Sequence, residues 1–368
     1  MSTKIKNIVL TVLMAVLFLG LFGWCVTKEE DKFSDSERRA LALFPEFNVE
    51  ALISGEFMKD FETYTLDQFP MRDTFRSIKA FCSHYLFLNL DNNDVILKDG
   101  HISKLEYPLR DDMVNNAASK FNSIYENMLK GTNAKIYLSV IPDKNMFLTE
   151  NSPYLALDYK EISEKLSGKM TYADYIDIMN LLSVDDYYRT DSHWKQENVV
   201  DVAEKIASEM NVPFNSDFTV NKVDTEFYGT YYGQAALPFE SDEIRYLTND
   251  AINNCKVYCY DTGYKEEIPV YNFENAHGKD SYEMFLSGNK AFLEIVNPLA
   301  ETDRELVIFR DSFGSSLAPL LIQSYSKITV VDIRYVYPQM IGNMVDFNNA
   351  DVLFIYSTLL INNSTGLR

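Results

Sequence analysis

Leu306-Val-Ile-Phe-Arg-Asp-Ser-Phe-Gly314 is the stretch on which the reading of this chain turns. An apolar run of strand length, 306–309, stops at a charged pair and a small hydroxyl residue, and a helical pattern over 313–325 begins at once. A strand over 328–333, a helix over 338–345 and a strand over 352–356 follow. This β-α-β-α-β series predicts a parallel sheet whose working edge lies at the carboxyl ends of its strands. Ser312 falls on that edge, just before a helix, where outward N–H groups and the helix dipole favour negative charge. A nucleophile there gains part of an oxyanion hole from its own N–H and its neighbours, and Gly314 permits close approach of the backbone. Ser and Asp are also good helix caps, so Asp311 and Ser312 taken alone admit either role.

A second stretch, Tyr187-Tyr-Arg-Thr-Asp-Ser-His-Trp194, narrows the choice. The chain has only four His. In an extended loop residues i and i+2 point the same way, so Asp191 and His193 face Ser312 from one segment. His193 then takes the Ser312 proton and returns it to the leaving group, while Asp191 orients the imidazole. A metal site needs a third ligand at recognisable spacing, and none stands nearby. No metal or cofactor is therefore expected. Trp194 is expected in the site wall, with the floor of a sugar subsite as its other reading. His84, His101 and His277 read as surface or structural.

The rest of the chain supplies the frame. Residues 8–26 form an uncharged apolar stretch long enough to cross a bilayer, preceded by Lys4 and Lys6, with no acid before Glu29. The positive-inside tendency keeps the N-terminus in the cytoplasm and exports the remainder, which gives a single-pass cell-membrane protein with its body outside. A cleaved signal peptide is the competing reading, against which stand the length of the stretch and the lack of a small-x-small site. The domains expected are an anchor over 1–28, a charged stalk and amphipathic helices over 29–90, and an α/β domain over 91–368. Two helices are read over 49–87, bounded at Gly55 and Pro70, and a strand and turn over 95–101. A helical stripe runs from Met113 to Met128, then a strand over 135–141 stops at Pro142. Helices are expected over 161–169, 172–182 and 199–210. Residues 213–300 read as an irregular β-rich insertion.

The formal net charge of −20 disfavours nucleic acid as a partner, because phosphate backbones need a positive field. The 24 Tyr and 24 Phe exclude a disordered acidic tail. Of four Cys, Cys255 and Cys259 stand i,i+4, which suits neither a CxxC redox pair nor paired zinc ligands; a bridge between them and two free thiols both remain open.

The segment 187–194 resembles the block that names the DHHW protein family, with Ser192 in place of the first His. Asp67-Gln-Phe-Pro-Met-Arg72, Ile141-Pro-Asp-Lys144, Phe227-Tyr-Gly-Thr230, Met284-Phe-Leu-Ser-Gly-Asn289, Asp311-Ser312 and Val331-Asp-Ile-Arg334 extend the resemblance over roughly residues 33 to 360. More distantly, the family is similar to the SGNH-like domains of alginate O-acetyltransferases. That resemblance implies a circularly rearranged, flavodoxin-like SGNH fold, with Ser312 as nucleophile, His193 as base and Asp191 as its orienting acid. It offers Gly288 and Asn289 as oxyanion groups. Arg310 stands where SGNH enzymes carry a Gly, and Arg189, Asp332 and Arg334 read as bracing ion pairs.

The resemblance implies an O-acetyltransferase of an exported or cell-surface polysaccharide, with a membrane-bound O-acyltransferase as the acetyl source. Phe227, Tyr228, Tyr231 and Tyr232 would suit sugar stacking or a β-rich core. An acetylesterase would use the same residues with water as acceptor. A non-catalytic cell-envelope or spore-associated scaffold on the same fold is the alternative of another class.

Overall fold

The computed structural model describes residues 3–342 and 344–368. The chain forms two compact units, Met1–Asn92 with Tyr232–Pro238, and Asn93–Tyr231 with Phe239–Arg368. The first unit opens with helix α1 (Thr3–Thr27), long and apolar enough to cross a membrane. A signal sequence has the same two properties.

Residues 28–48 are not a free stalk. They hold strands β1 (Phe33–Ser34) and β2 (Arg39–Ala40), paired antiparallel. Helices α2 (Val49–Ser54), α3 (Glu56–Asp67) and α4 (Arg72–Phe81) follow. The Asp67 carboxylate accepts from the Arg39 guanidinium at 2.5 and 2.8 Å and from the Ala42 N–H at 3.0 Å. The Gln68 side chain bonds both the N–H and the C=O of Asp31. A buried carboxylate and an amide at the end of α3 thus fix a segment that its charge alone would leave in water. Gly55, at φ 83°, closes α2 in the left-handed region, so the 49–87 region holds three helices rather than two.

In the second unit β3 (Val95–Lys98) and β4 (His101–Lys104) form a hairpin, followed by α5 (Asp111–Ile124), β5 (Lys135–Ile141) and α6 (Tyr159–Lys169). The helix expected over 172–182 is absent. Its place is taken by β6 (Asp174–Tyr175), parallel to β5, and a 3-10 turn Met179–Leu181. The Ser139 hydroxyl donates to the Ile176 carbonyl at 3.0 Å, and the free edge of β5 overrides a weak helical pattern. Next come α7 (Val200–Glu209), β7 (Thr219–Lys222), β8 (Arg245–Thr248), β9 (Lys256–Cys259), β10 (Glu266–Ile268) and β11 (Phe292–Val296). The chain closes with β12 (Glu305–Arg310), α8 (Gly314–Leu321), β13 (Lys327–Val331) and β14 (Ala350–Ser357). The helix expected over 338–345 is a single turn, Pro338–Ile341; Asn343 lies outside the described residues. Cys255 and Cys259 are free thiols.

The main sheet runs β10-β9-β11-β13-β12-β14-β5-β6. Strands β13, β12, β14, β5 and β6 are parallel, and β11, β9 and β10 add antiparallel at one edge. Residues 213–300 are therefore an insertion only in part: β7 and β8 pair by themselves, whereas three later strands widen the sheet. Alternate residues of the central strands enter opposite cores. Leu306, Ile308, Leu353 and Ile355 pack with α7 and α8. Val307, Phe309, Val352 and Phe354 pack with α5 and α6. Burial on both faces explains why these strands read as unbroken apolar runs.

Candidate active site

At the carboxyl end of β12 the chain turns into α8 through Asp311, Ser312 and Phe313. Asp311 holds the turn: one carboxylate oxygen accepts the Phe313 N–H at 3.1 Å and the other the Ser357 N–H at the end of β14, at 2.8 Å. Gly314 is required by a side chain rather than by a backbone approach. A Cβ there would lie 2.6 Å from the Arg310 Cβ.

The loop from β6 to α7 brings its own residues to this turn. His193 Nε2 lies 2.7 Å from Ser312 Oγ, and His193 Nδ1 lies 2.5 Å from Asp191 Oδ1. Asp191 is fully buried and Ser312 half-buried. Burial by itself would push the Asp191 carboxyl up. The charge and hydrogen bond of His193, with the Thr230 and His193 backbone N–H groups, overcome that and hold it well below the usual carboxylate range. This is the geometry of a nucleophile, a base and an orienting acid in one hydrogen-bonded line. Among the described residues the Ser312 N–H has no acceptor, and it stands at the start of α8, where it can meet a developing oxyanion.

Several groups that sequence reasoning missed hold the line in place. The Tyr282 ring stacks on the His193 imidazole with centroids 3.8 Å apart and planes 9° apart. Its hydroxyl lies 2.8 Å from Ser316 Oγ and 3.3 Å from the Ser312 carbonyl. Lys144, fully buried, donates to the carbonyls of Tyr188, Arg189 and Asp191 at 2.8–3.1 Å. Burial lowers its ammonium to about 7. Asp242 accepts the N–H groups of Arg189 and Thr190 at 2.8 Å each and the Thr190 hydroxyl at 2.6 Å. Gly229 N–H donates to that same hydroxyl, at 2.9 Å. Two signals existed in the sequence, since Lys144 and Gly229 lie in quoted stretches. Tyr282 lies just outside one and gave none.

Other expected site residues have different surroundings. Trp194 is fully buried, its indole N–H directed at the Phe313 carbonyl and Ser316 Oγ, so it packs beneath the turn and cannot floor a sugar. Arg189 reaches Glu240 at 3.2 Å and the Ser241 carbonyl at 2.8 Å, which braces its own loop. Arg310 is buried against Asp332 at 3.3 Å, and Arg334 takes the same carboxylate at 2.6 Å. Gly288 sits at φ 81° in a tight turn with its N–H on the Phe285 carbonyl, and Asn289 is exposed. No hydrogen bond joins either to Ser312 among the described residues. Phe227 and Tyr231 are core residues, and only Tyr228 and Tyr232 are half-exposed.

No protein-family model and no curated protein matches the chain. Solved structures do. A DHHW family protein from Eubacterium siraeum is similar at 23% identity and a TM-score of 0.60, over 75% of this chain and 95% of its own. Bacillus cereus PatB1, in a structure with a sulfonyl adduct, is similar at 19% identity and 0.61, over 74% and 97%. The O-acetyltransferase domain of Pseudomonas putida AlgJ follows at 10% and 0.45, over 74% and 93%. At such identities the first two likenesses concern the fold alone, which is the expected α/β class with helices on both faces of a largely parallel sheet.

Proposed function

We infer that this chain is an exported, membrane-anchored O-acetyltransferase of a cell-surface or secreted polysaccharide, working through an acetyl ester of Ser312. The observation that carries the reading is the line from Ser312 Oγ through His193 to Asp191, at 2.7 and 2.5 Å. In the first half-reaction Ser312 gives its proton to His193 Nε2 and attacks the acetyl carbonyl of an activated donor. Asp191 steadies the imidazolium, and the Ser312 N–H with the start of α8 receives the oxyanion. Collapse of the adduct returns the proton to the leaving group and leaves acetyl-Ser312. In the second half a sugar hydroxyl gives its proton to His193 and takes the acetyl group, and His193 passes the proton to the departing Ser312 oxygen, restoring its hydroxyl.

The likeness to PatB1 supports an activated nucleophile here, because that structure carries a sulfonyl adduct and sulfonyl reagents capture such groups. An anchored body suits an acetyl group delivered at the membrane by an O-acyltransferase. The test is intact-mass analysis of the detergent-solubilised chain treated with a sulfonyl fluoride or an activated acetyl ester. One adduct mapped to Ser312, abolished in His193→Ala, is the expected result. Oligosaccharide acceptors should then compete with water for the acetyl group. Hydrolysis unaffected by any acceptor makes the protein an acetylesterase. No adduct on folded protein removes the covalent mechanism and leaves the scaffold reading.

A further inference from the structure

The first unit leaves an apolar ridge uncovered. Phe75, Ile78, Phe81 and Tyr85 recur at helical spacing along α4 and the turn after it, and all four are exposed. Phe87 and Leu88 continue the ridge at 68% and 76% exposure, far beyond what isolated surface residues need. From Thr74 to Leu90 there is no acidic residue, in a chain with 54 acids against 34 bases. Beyond α1, a second exposed apolar run of this unit is different: Phe47, Ile53 and Met58 are interleaved with Glu46, Glu50 and Glu56. Of these two runs, the 74–90 ridge is the one that can approach anionic headgroups without bringing carboxylates to them.

Its place in the unit says what lies nearby. The Gln68 side chain grips both backbone groups of Asp31, at 2.8 and 2.9 Å. Asp31 is four residues past the end of α1, and four extended residues reach at most ~14 Å. The chain just before α4 is thus tied close to the end of the apolar helix.

We propose that the ridge of α4 and the following turn, 75–88, lies in the interfacial layer of the bilayer that α1 crosses, as a second, in-plane contact with lipid. The proposal rests on the reading of α1 as a membrane-spanning segment. It gives the first unit a fixed seat on the membrane in place of a swivelling tether.

The test uses the full chain with its four cysteines replaced by Ser, carrying one fluorescent cysteine label at a time. The label sites are Leu17→Cys in α1, Phe81→Cys on the ridge and Tyr264→Cys in an exposed turn of the second unit. Each variant is reconstituted in phosphatidylcholine–phosphatidylglycerol vesicles with and without nitroxide-bearing lipid. The expected result is loss of most emission at 17 and 81, and little loss at 264. Quenching at 17 without quenching at 81 overturns the proposal, leaves the anchor standing and makes the ridge a site for a protein partner. Absence of quenching at both overturns the anchor and the proposal with it. Equal quenching at 81 and 264 also overturns it, because contact would then not be confined to the ridge.

Discussion

A Cβ on Gly229 would lie 2.2 Å from the Cβ of Asp191 and 2.5 Å from its Cα, so these two residues occupy one fitted space. The obstacle is backbone, which cannot swing aside as a flexible side chain does. Gly229→Ala therefore moves the orienting acid away from His193. A displacement of this kind costs about 100-fold in rate. The measurement is the rate of Ser312 labelling by a sulfonyl fluoride, with circular dichroism as the control for folding. An unchanged labelling rate would show that the Asp191–His193 geometry tolerates the shift.

Tyr282 separates stacking from hydrogen bonding. Tyr282→Phe keeps the ring against His193 and loses the bonds to Ser316 and the Ser312 carbonyl, at a cost of about 1 kcal/mol in stability. Tyr282→Ala also removes the imidazole's support and leaves a cavity, at roughly 3–5 kcal/mol. Denaturant unfolding reads the stability, and acetyl transfer from an activated ester reads the chemistry. Transfer should survive in the Phe variant and fall at least tenfold, about 1.4 kcal/mol of barrier, in the Ala variant.

Lys144 predicts a pH dependence with a definite sign. Its folded value, held down at about 7 by burial, lies below the ~10.4 of an exposed lysine. Between those values the unfolded chain binds more protons than the folded one. The contribution of this group to stability therefore rises with pH through that window and is flat below it. The unfolding free energy of the native chain, minus that of Lys144→Met, should climb as pH passes upward from about 7. A difference independent of pH would mean that the ammonium keeps its proton throughout and that the three carbonyl bonds outweigh burial.

The central strands were legible because burial on both faces leaves continuous apolar runs, and Ser312 because it follows one of them. Asp191 and His193 were legible because they stand two residues apart in one loop, although the loop is bent rather than extended there and the Asp191 carboxylate also accepts the His193 N–H at 3.0 Å. The supporting groups were not. Tyr282 lies 89 residues beyond His193 in the chain, and nothing local marks a ring destined to stack on an imidazole. Strand β6 escaped notice because its two residues are strand only through pairing with β5. The 28–48 segment read as a stalk because its charges are plain in sequence, whereas the carboxylate and amide that hold it, Asp67 and Gln68, come from a helix further along.

The Asp311 carboxylate, stretched between the Phe313 and Ser357 N–H groups, ties the turn bearing Ser312 to the end of the neighbouring strand. Because β12 pairs with β14 along the whole length of β12, Ser312 Oγ inherits its position from the sheet's register. The position of Ser312 is thereby insulated from sequence drift in the surrounding surface. The 213–300 region is held to a narrower freedom, because its Gly229, Asp242 and Tyr282 fit against the loop of Asp191 and His193, while Ser312 Oγ stays where the sheet puts it.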